Sequence, residues 1–277
     1  MTHDRIPLAG VIGSPIAHSR SPQLHGHWLR SMGLRGFYVP MDVAHGDLER
    51  VIRTLPRMGF VGANVTVPHK ESVMRIADKI TDRATLIGAA NTLIFRSDGT
   101  IHADNTDGYG FIENLRDGAP DWDAPTGTAL VLGAGGAARA VIASLADAGV
   151  PEIVLTNRTR VRAERLNEDF GQRVRVVDWV QAANALEEAA LVVNTTSLGM
   201  TGQPDLRVPL DGLHKGQVVT DLVYNPLKTN LLQKAKQAGC TTVDGLGMLL
   251  HQAVPGFERW FGARPVVDAA AREAALA

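Results

Sequence analysis

The sequence predicts an α/β protein in two parts: an N-terminal α/β domain and a doubly wound, Rossmann-type dinucleotide-binding domain. Three observations carry this. First, the stretch Thr128-Ala-Leu-Val-Leu-Gly133-Ala-Gly135-Gly136-Ala-Ala138-Arg-Ala-Val-Ile-Ala-Ser-Leu145 reads as strand, tight turn, helix, the order that lays a pyrophosphate on a helix N-terminus. Second, apolar runs at Ile153–Thr156, Val174–Val177, Leu191–Asn194, Val218–Val223 and Thr241–Val243 alternate with helical or loop stretches, the pattern of a parallel sheet with helices on both faces. Third, the first hundred residues alternate in the same way before an Asp98-Gly99 hairpin signal.

Composition narrows the function classes. The 277 residues are 45% hydrophobic and 21% charged, as in a globular protein with full cores. Lys plus Arg number 28 and Asp plus Glu 29. That balance argues against general nucleic-acid binding, which draws on basic excess, and favours a small-molecule partner. Cys240 is the single cysteine, so no intramolecular disulfide forms and the residue reads as a small core side chain. No apolar run reaches membrane-spanning length. Met1-Thr-His-Asp-Arg-Ile-Pro7 has no basic region leading into an apolar one, so a cytoplasmic protein is expected. His25 and His27 are too closely spaced for one helix face, and no second cluster joins them, so no metal site is expected.

In chain order, Leu8–Gly13 reads as the first strand. A loop through Ser19 follows, and then Ser21-Pro22, which reads as an N-cap followed by proline at the first helical position. Two hydroxyls at a helix N-terminus, Ser19 and Ser21, also make a seat for a carboxylate; the residues leave both readings open. Phe37–Val43 reads as a strand and Asp47–Met58 as a helix. Ala63–Pro68 reads as a third strand, with Val65 and Val67 on one side and Asn64 and Thr66 on the other. Pro68-His69-Lys70 then opens a helix through Val73, Ile76 and Ala77. Lys70 would sit in its first turn, where the dipole disfavours a cation. It is either a solvated surface lysine or a group placed at the crevice beyond a strand's C-terminal end. A two-residue turn at Asp98-Gly99 would set Asn91 opposite Thr106 and bring Asn91 close to Asp107. Asp107 also reads as the N-cap of a helix beginning at Gly108.

The breaker-rich segment Gly118–Gly127 reads as an exposed loop into the glycine-turn strand. Gly133 permits the turn, Gly135 lets backbone N–H groups approach phosphates, and Ala138 is the third small residue. Ala137, Val141, Leu145 and Ala148 would form the helix's apolar face. At the end of the next strand, where an NAD-binding unit carries an acid, stands Thr156-Asn157-Arg158-Thr159-Arg160-Val161-Arg162. Arginines with amide and hydroxyl groups suit the extra phosphate of NADP. Leu246, Leu249, Leu250, Ala253, Phe257, Trp260 and Phe261 mark a final helical stripe, with a kink expected near Pro255. Gln252 falls off that stripe, where solvent exposure is its plain reading.

With these pieces in place, the chain resembles the shikimate dehydrogenase family over nearly its whole length. The motifs are Ile12-Gly-Ser-Pro-Ile-Ala-His-Ser19-Arg-Ser21-Pro22, Asn64-Val-Thr66-Val-Pro-His-Lys70, Gly88-Ala-Ala-Asn91-Thr92 and Asp104-Asn105-Thr106-Asp107-Gly108. To these add Gly133-Ala-Gly-Gly-Ala137, Asn157-Arg158-Thr159, Asp221-Leu-Val-Tyr224 and Gly245-Leu-Gly-Met-Leu-Leu-His-Gln252. The resemblance implies a substrate-binding and catalytic domain over 1–110, completed by C-terminal helices at 245–277, and a Rossmann NADP domain over 111–244, with substrate in the cleft between them. It implies that Ser19 and Ser21 hold the substrate carboxylate and that Thr66, Asn91, Asp107 and Gln252 bind ring hydroxyls. Lys70 would be catalytic and paired with Asp107, and Tyr224 would border the substrate. For the cofactor it implies Gly133, Ala134, Gly135, Gly136, Ala137, Asn157, Arg158, Thr159 and Arg162 at the phosphates. Val223 and Gly245 would lie near the nicotinamide, and Asp82 matches an acidic position near the cofactor. One departure is Gly26, where the family often has Asn. The implied reaction is the reversible, NADP-linked reduction of 3-dehydroshikimate to shikimate, by a monomer or homodimer that binds neither nucleic acid nor membrane. A quinate/shikimate dehydrogenase with relaxed substrate or NAD use, and a non-catalytic metabolite sensor, are the alternatives.

Overall fold

The computed structural model describes residues 6–277, so most of the N-terminal segment expected to lack an export signal lies outside the described residues. The chain divides into two compact units: residues up to Thr106 together with Leu250–Ala277, and Asp107–Leu249.

The first unit opens with β1 (Leu8–Gly13), α1 (Ser21–Ser31), β2 (Phe37–Asp42), α2 (Leu48–Thr54) and β3 (Gly62–Val65). It continues with β4 (Lys79–Ile80), α3 (Asp82–Ile87), β5 (Thr92–Phe95) and β6 (Ile101–Asp104). These strands form one mixed sheet, ordered β2-β1-β3-β5-β6-β4. The strands β1, β2 and β3 run parallel, whereas β5 is antiparallel to both β3 and β6. The helix expected over Asp47–Met58 is shorter, with 3-10 turns at His45–Asp47 and Leu55–Met58; Pro56 lacks the N–H that an α-helix would need there. The third strand stops at Val65, and the His69 N–H turns back to the Thr66 carbonyl at 2.9 Å. Val67 therefore leaves the strand's alternation and is 69% exposed.

The hairpin register differs by one residue from the sequence expectation. Thr92 faces Asp104 and Phe95 faces Ile101. Gly99 has φ +88°, and its N–H bonds to the Arg96 carbonyl at 3.0 Å. The loop is thus a three-residue one closed by a left-handed glycine, a geometry that a two-residue Asp-Gly turn resembles in sequence.

The second unit runs α4 (Asp107–Gly118), β7 (Ala129–Leu132), α5 (Gly136–Asp147), β8 (Ile153–Thr156), α6 (Arg160–Phe170) and β9 (Val174–Val177). After these come α7 (Ala182–Glu188), β10 (Leu191–Asn194), β11 (Val218–Asp221), α8 (Asn230–Gln237) and β12 (Thr241–Val243). Its six strands are all parallel, ordered β12-β11-β10-β7-β8-β9. Alternation along β7 sends Val131 into a core with Phe111, Val141, Ile142 and Leu145, and Leu130 and Leu132 into a second core with Leu186 and Leu231. Both faces are covered, as a doubly wound parallel sheet requires. On α5 the buried face is Ala138, Val141, Ile142 and Leu145. Ala137 and Ala148 are only half-buried, so the stripe is rotated by one residue from the expected one.

The last helices are α9 (Leu246–Phe261) and α10 (Ala269–Leu276). The helix α9 contains Pro255 and belongs to the first unit from Leu250 onward. It places Phe257 and Trp260 in an aromatic cluster with Trp28, Tyr38 and His25. The His25 ring stacks on Tyr38 at 3.8 Å and 6°, and both of its nitrogens are buried without a partner. Burial lowers the His25 pKa from 6.5 to about 3. The unfolded chain therefore takes up this proton first, and stability falls as pH drops from 6.5 towards 3. His25→Phe keeps the aromatic packing and removes the titration. It should gain about 2 kcal/mol over the parent between about pH 7 and pH 5, read from urea unfolding midpoints. Equal pH slopes in the two proteins would refute this.

Candidate functional site

In the first unit one end of the sheet collects Ser19, Ser21, Thr66, Lys70 and Asn91 of the residues singled out for substrate, whereas Asp107 and Tyr224 belong to the second unit. Ser19 and Ser21 follow β1, and Thr66 and Lys70 follow β3. Asn91 precedes the antiparallel β5, and Thr106 follows β6.

Ser19, rather than Ser21, faces the helix start as a cap. Its hydroxyl accepts from the Ser21 N–H at 3.4 Å, while Arg20 occupies the N-cap position without a side-chain bond. Ser21 is the first residue of α1, and its hydroxyl bonds to the Tyr38 phenol. Burial pushes the Tyr38 pKa well above the usual tyrosine value, with the Ser21 contact pulling the other way. Tyr38 donates to Asn64 Oδ1 at 2.6 Å, and Asn64 Nδ2 donates to the Asn91 carbonyl at 3.1 Å and Thr92 Oγ1 at 3.3 Å. Asn91 continues the chain: its Nδ2 donates to Gln252 Oε1 at 2.9 Å, and its Oδ1 accepts from the Thr106 N–H at 2.9 Å and the Thr92 hydroxyl at 2.9 Å. The Thr106 hydroxyl lies 3.1 Å from Asn91 Oδ1 and 2.9 Å from the Gln252 carbonyl. Gln252 is half-buried and hydrogen-bonded, so the solvent-exposed reading of it fails. The sequence reading missed Tyr38 and its bond to Asn64, for nothing local marks a tyrosine that reaches across the sheet.

Lys70 is half-buried in a turn that leads into a 3-10 segment, Ser72–Arg75, in place of the expected helix. The dipole of the expected helix therefore does not act on it. Its backbone is fixed on both sides. The Lys70 carbonyl accepts from the Ala90 N–H at 2.9 Å. Next to it, His69 is fully buried, with Nε2 2.7 Å from the Val43 carbonyl. A carbonyl only accepts, so Nε2 carries the proton and the ring is an anchor.

Asp104, two residues before Thr106, is buried under Arg83 (2.7 and 2.5 Å), Arg259 (2.8 Å) and Thr81 (2.8 Å). Burial would raise its pKa, but the bonds from Arg83, Arg259 and Thr81 outweigh this and hold it at about 2. Asp82 stands exposed at the head of α3, where Thr81 caps the helix.

In the second unit Asp107 is the first residue of α4 and is buried, a helix end that favours a carboxylate. The C-terminal ends of the parallel strands hold the remaining residues. Gly133 has φ +107°, and a Cβ there would meet Thr196 Cγ2 at 2.7 Å and Thr195 Oγ1 at 2.8 Å, so only glycine fits. Around Gly135 and Gly136 no atom lies within 4 Å of an added Cβ. Both are exposed, and α5 starts without a side-chain cap. Open backbone N–H groups at a helix N-terminus fit a pyrophosphate. Asn157 ties this turn to the next: its Oδ1 accepts from the Ala134 N–H at 3.2 Å, and its Nδ2 donates to the Thr159 carbonyl at 2.8 Å.

Beyond Asn157 lies a pocket of about 630 Å³, whose lining includes Asn157, Arg158, Thr159 and Arg162. Of the three arginines, Arg160 turns away to Glu164 (2.8 Å) and Asp178 (2.6 Å). Arg158 and Arg162 make no ion pair among the described residues. Two uncommitted guanidiniums fit a phosphate at this end. Farther along the edge, the buried Asp221 accepts from Thr229 Oγ1 (2.7 Å), Asn194 Nδ2 (2.9 Å) and the Val223 N–H (3.0 Å). Burial raises its pKa against those bonds. The last of these contacts holds the Val223 backbone, the adjoining Tyr224 is half-buried, and Gly245 packs its backbone on Leu222 and Asp221.

Among the described residues no cluster of His, Cys, Asp and Glu is placed to hold a metal ion, and no described helix is long and apolar enough to cross a membrane. A six-stranded parallel sheet with a glycine turn at its switch point, and free arginines where an NAD site carries an acid, defines a pyridine-nucleotide oxidoreductase of the NADP-using kind.

Comparison with known proteins makes this particular. Residues 11–93 match the family described as shikimate dehydrogenase substrate binding domain, 121–200 match shikimate / quinate 5-dehydrogenase, and 245–276 match shikimate 5'-dehydrogenase C-terminal domain. The shikimate dehydrogenase (NADP(+)) of Ruegeria sp. (strain TM1040) is 73% identical over 276 residues, covering 100% of both chains. The Thermus thermophilus shikimate 5-dehydrogenase, solved with NADP(H) and shikimate, has a TM-score of 0.86 and 37% identity over 98% of this chain and 99% of that one. The Corynebacterium glutamicum quinate dehydrogenase, solved with NAD, has a TM-score of 0.90 and 31% identity over 97% and 98%. The chain belongs to the shikimate dehydrogenase family.

Proposed function

We propose that the chain catalyses the reversible, NADP-linked interconversion of shikimate and 3-dehydroshikimate, with Ser19 and Ser21 at the substrate carboxylate and Thr66, Asn91, Asp107 and Gln252 at its ring hydroxyls. The observation that supports the assignment is that Ser19, Ser21, Thr66, Lys70 and Asn91 all adjoin the same end of neighbouring strands of the first sheet. Bound NADPH supplies a hydride to the ring carbonyl carbon. The carbonyl oxygen then gains negative charge and needs a hydrogen-bond donor and a proton. Lys70 provides the cation and the donor at that oxygen, and the Asp107 carboxylate orients it and the hydroxyl. Tyr224 borders the substrate; Val223 and Gly245 border the nicotinamide. The backbone of Gly133, Ala134, Gly135, Gly136 and Ala137 takes the pyrophosphate. Asn157, Arg158, Thr159 and Arg162 take the adenosine phosphate, and Asp82 adds an acidic group near the cofactor.

The domains in this reading are 1–110 with 245–277 for substrate and catalysis, and 111–244 for NADP. The protein is placed in the cytoplasm as a monomer or homodimer. Initial rates with each of two substrates and each of two cofactors test the assignment. Shikimate with NADP should give the highest kcat/KM, because the arginine pocket suits a phosphorylated ribose. Higher efficiency with quinate and NAD would overturn it.

A further inference from the structure

Two side chains in the adenosine pocket come from segments that no motif marks. Trp179 follows β9, and Arg207 lies in the long connection after β10. Their positions are fixed by the core beneath. Leu206 and Val208 are buried in the core shared with Leu132 and Leu186, so Arg207 between them is turned outward. Trp179 packs on the same core, and its indole N–H donates to the Arg207 carbonyl at 3.3 Å. One bond thus joins the wall of the pocket to the segment that carries the arginine. Arg207, like Arg158 and Arg162, has no ion pair among the described residues, and the pocket contains a single carboxylate, Asp205.

Three guanidiniums against one carboxylate leave excess positive charge in a pocket with an aromatic wall. A ribose with free hydroxyls would leave that charge uncompensated. A ribose carrying a phosphate dianion would answer it, and an indole face suits a purine. We propose that Arg207 is a specificity-determining residue for the phosphorylated adenosine end of the cofactor, supplying a third guanidinium to its 2′-phosphate, and that Trp179 packs against the adenine. This rests on the placement of that phosphate at Arg158 and Arg162.

The test is calorimetric binding of adenosine 2′,5′-bisphosphate and adenosine 5′-monophosphate to the full chain and to three variants whose circular dichroism matches the parent. Arg207→Gln should weaken the bisphosphate about tenfold and the monophosphate less than about twofold. It should also flatten the dependence of bisphosphate binding on salt. Trp179→Leu should weaken both probes by a similar factor, about fivefold, and remove the ligand-induced change in tryptophan emission. Arg158→Gln is the control for the underlying placement. If Arg158→Gln loses the bisphosphate and Arg207→Gln does not, the role of Arg207 is refuted while the phosphate site stands. Equal loss of both probes in Arg207→Gln would reduce Arg207 to a packing role and overturn the proposal. If neither arginine variant changes bisphosphate affinity, the placement of the phosphate falls as well.

Discussion

Lys70→Met should lower kcat by about 10³-fold while NADPH binding should stay within about twofold of the parent. Methionine keeps much of the stem and removes the charge and the proton. The turn should survive the change, because its anchors are the Lys70 backbone carbonyl and the buried His69 ring, neither of which the substitution touches. The proposed role also predicts a pattern across variants. If Lys70 and Asp107 act as a unit, Lys70→Met combined with Asp107→Asn costs about as much as the more damaging single change. Steady-state rates paired with an NADPH fluorescence titration give both numbers. Turnover within tenfold of the parent would remove Lys70 from the chemistry, and multiplicative losses would remove the pairing.

The second large effect is on cofactor choice. Arg158→Gln combined with Arg162→Gln should raise KM for NADP by about 100-fold, roughly tenfold per charge-assisted contact. Both residues are exposed, so solvent screening keeps each contribution at the modest end of that scale. KM for NAD should move little, since NAD lacks the 2′-phosphate that these residues would hold. The NADP penalty should also shrink as salt rises, because screening already weakens the parent's contacts. A parallel rise in both KM values would mean that the loop had merely been disordered.

The second unit was the more legible in the sequence, and the reason is physical. A parallel sheet buried on both faces writes each strand as a short apolar run, so Ile153–Thr156, Val174–Val177, Leu191–Asn194 and Thr241–Val243 are found at their expected positions. The first unit deviates where turns compete. Asp98-Gly99 satisfies a two-residue hairpin and a three-residue loop with glycine at its end equally well in sequence, and the structure takes the latter. Thr66-Val67 keeps the alternation of a strand after the strand has ended, which is why alternation alone puts Val67 on the wrong side. The residues after His69 have helical spacing but form only a 3-10 turn.

Motif positions in the site were readable because each motif sits at the end of a strand. Their support was not. Tyr38 reaches Asn64 across the sheet, and Gln252 receives Asn91 from a segment far away in the chain. Trp179 and Arg207 likewise meet only through the fold. Long-range hydrogen bonds leave no periodicity behind, so no local pattern could reveal them.

The amide of Asn157 holds the glycine turn with its oxygen and the arginine loop with its nitrogen. In the proposed reading, two recognition tasks, one for the bridging diphosphate and one for the ribose substituent, would therefore share a single rivet. Engineering a different dinucleotide preference into this scaffold would go best by exchanging the guanidinium side chains and sparing the residue between them. Disturbing that residue would shift both cradles together, and the two effects could not be tuned apart.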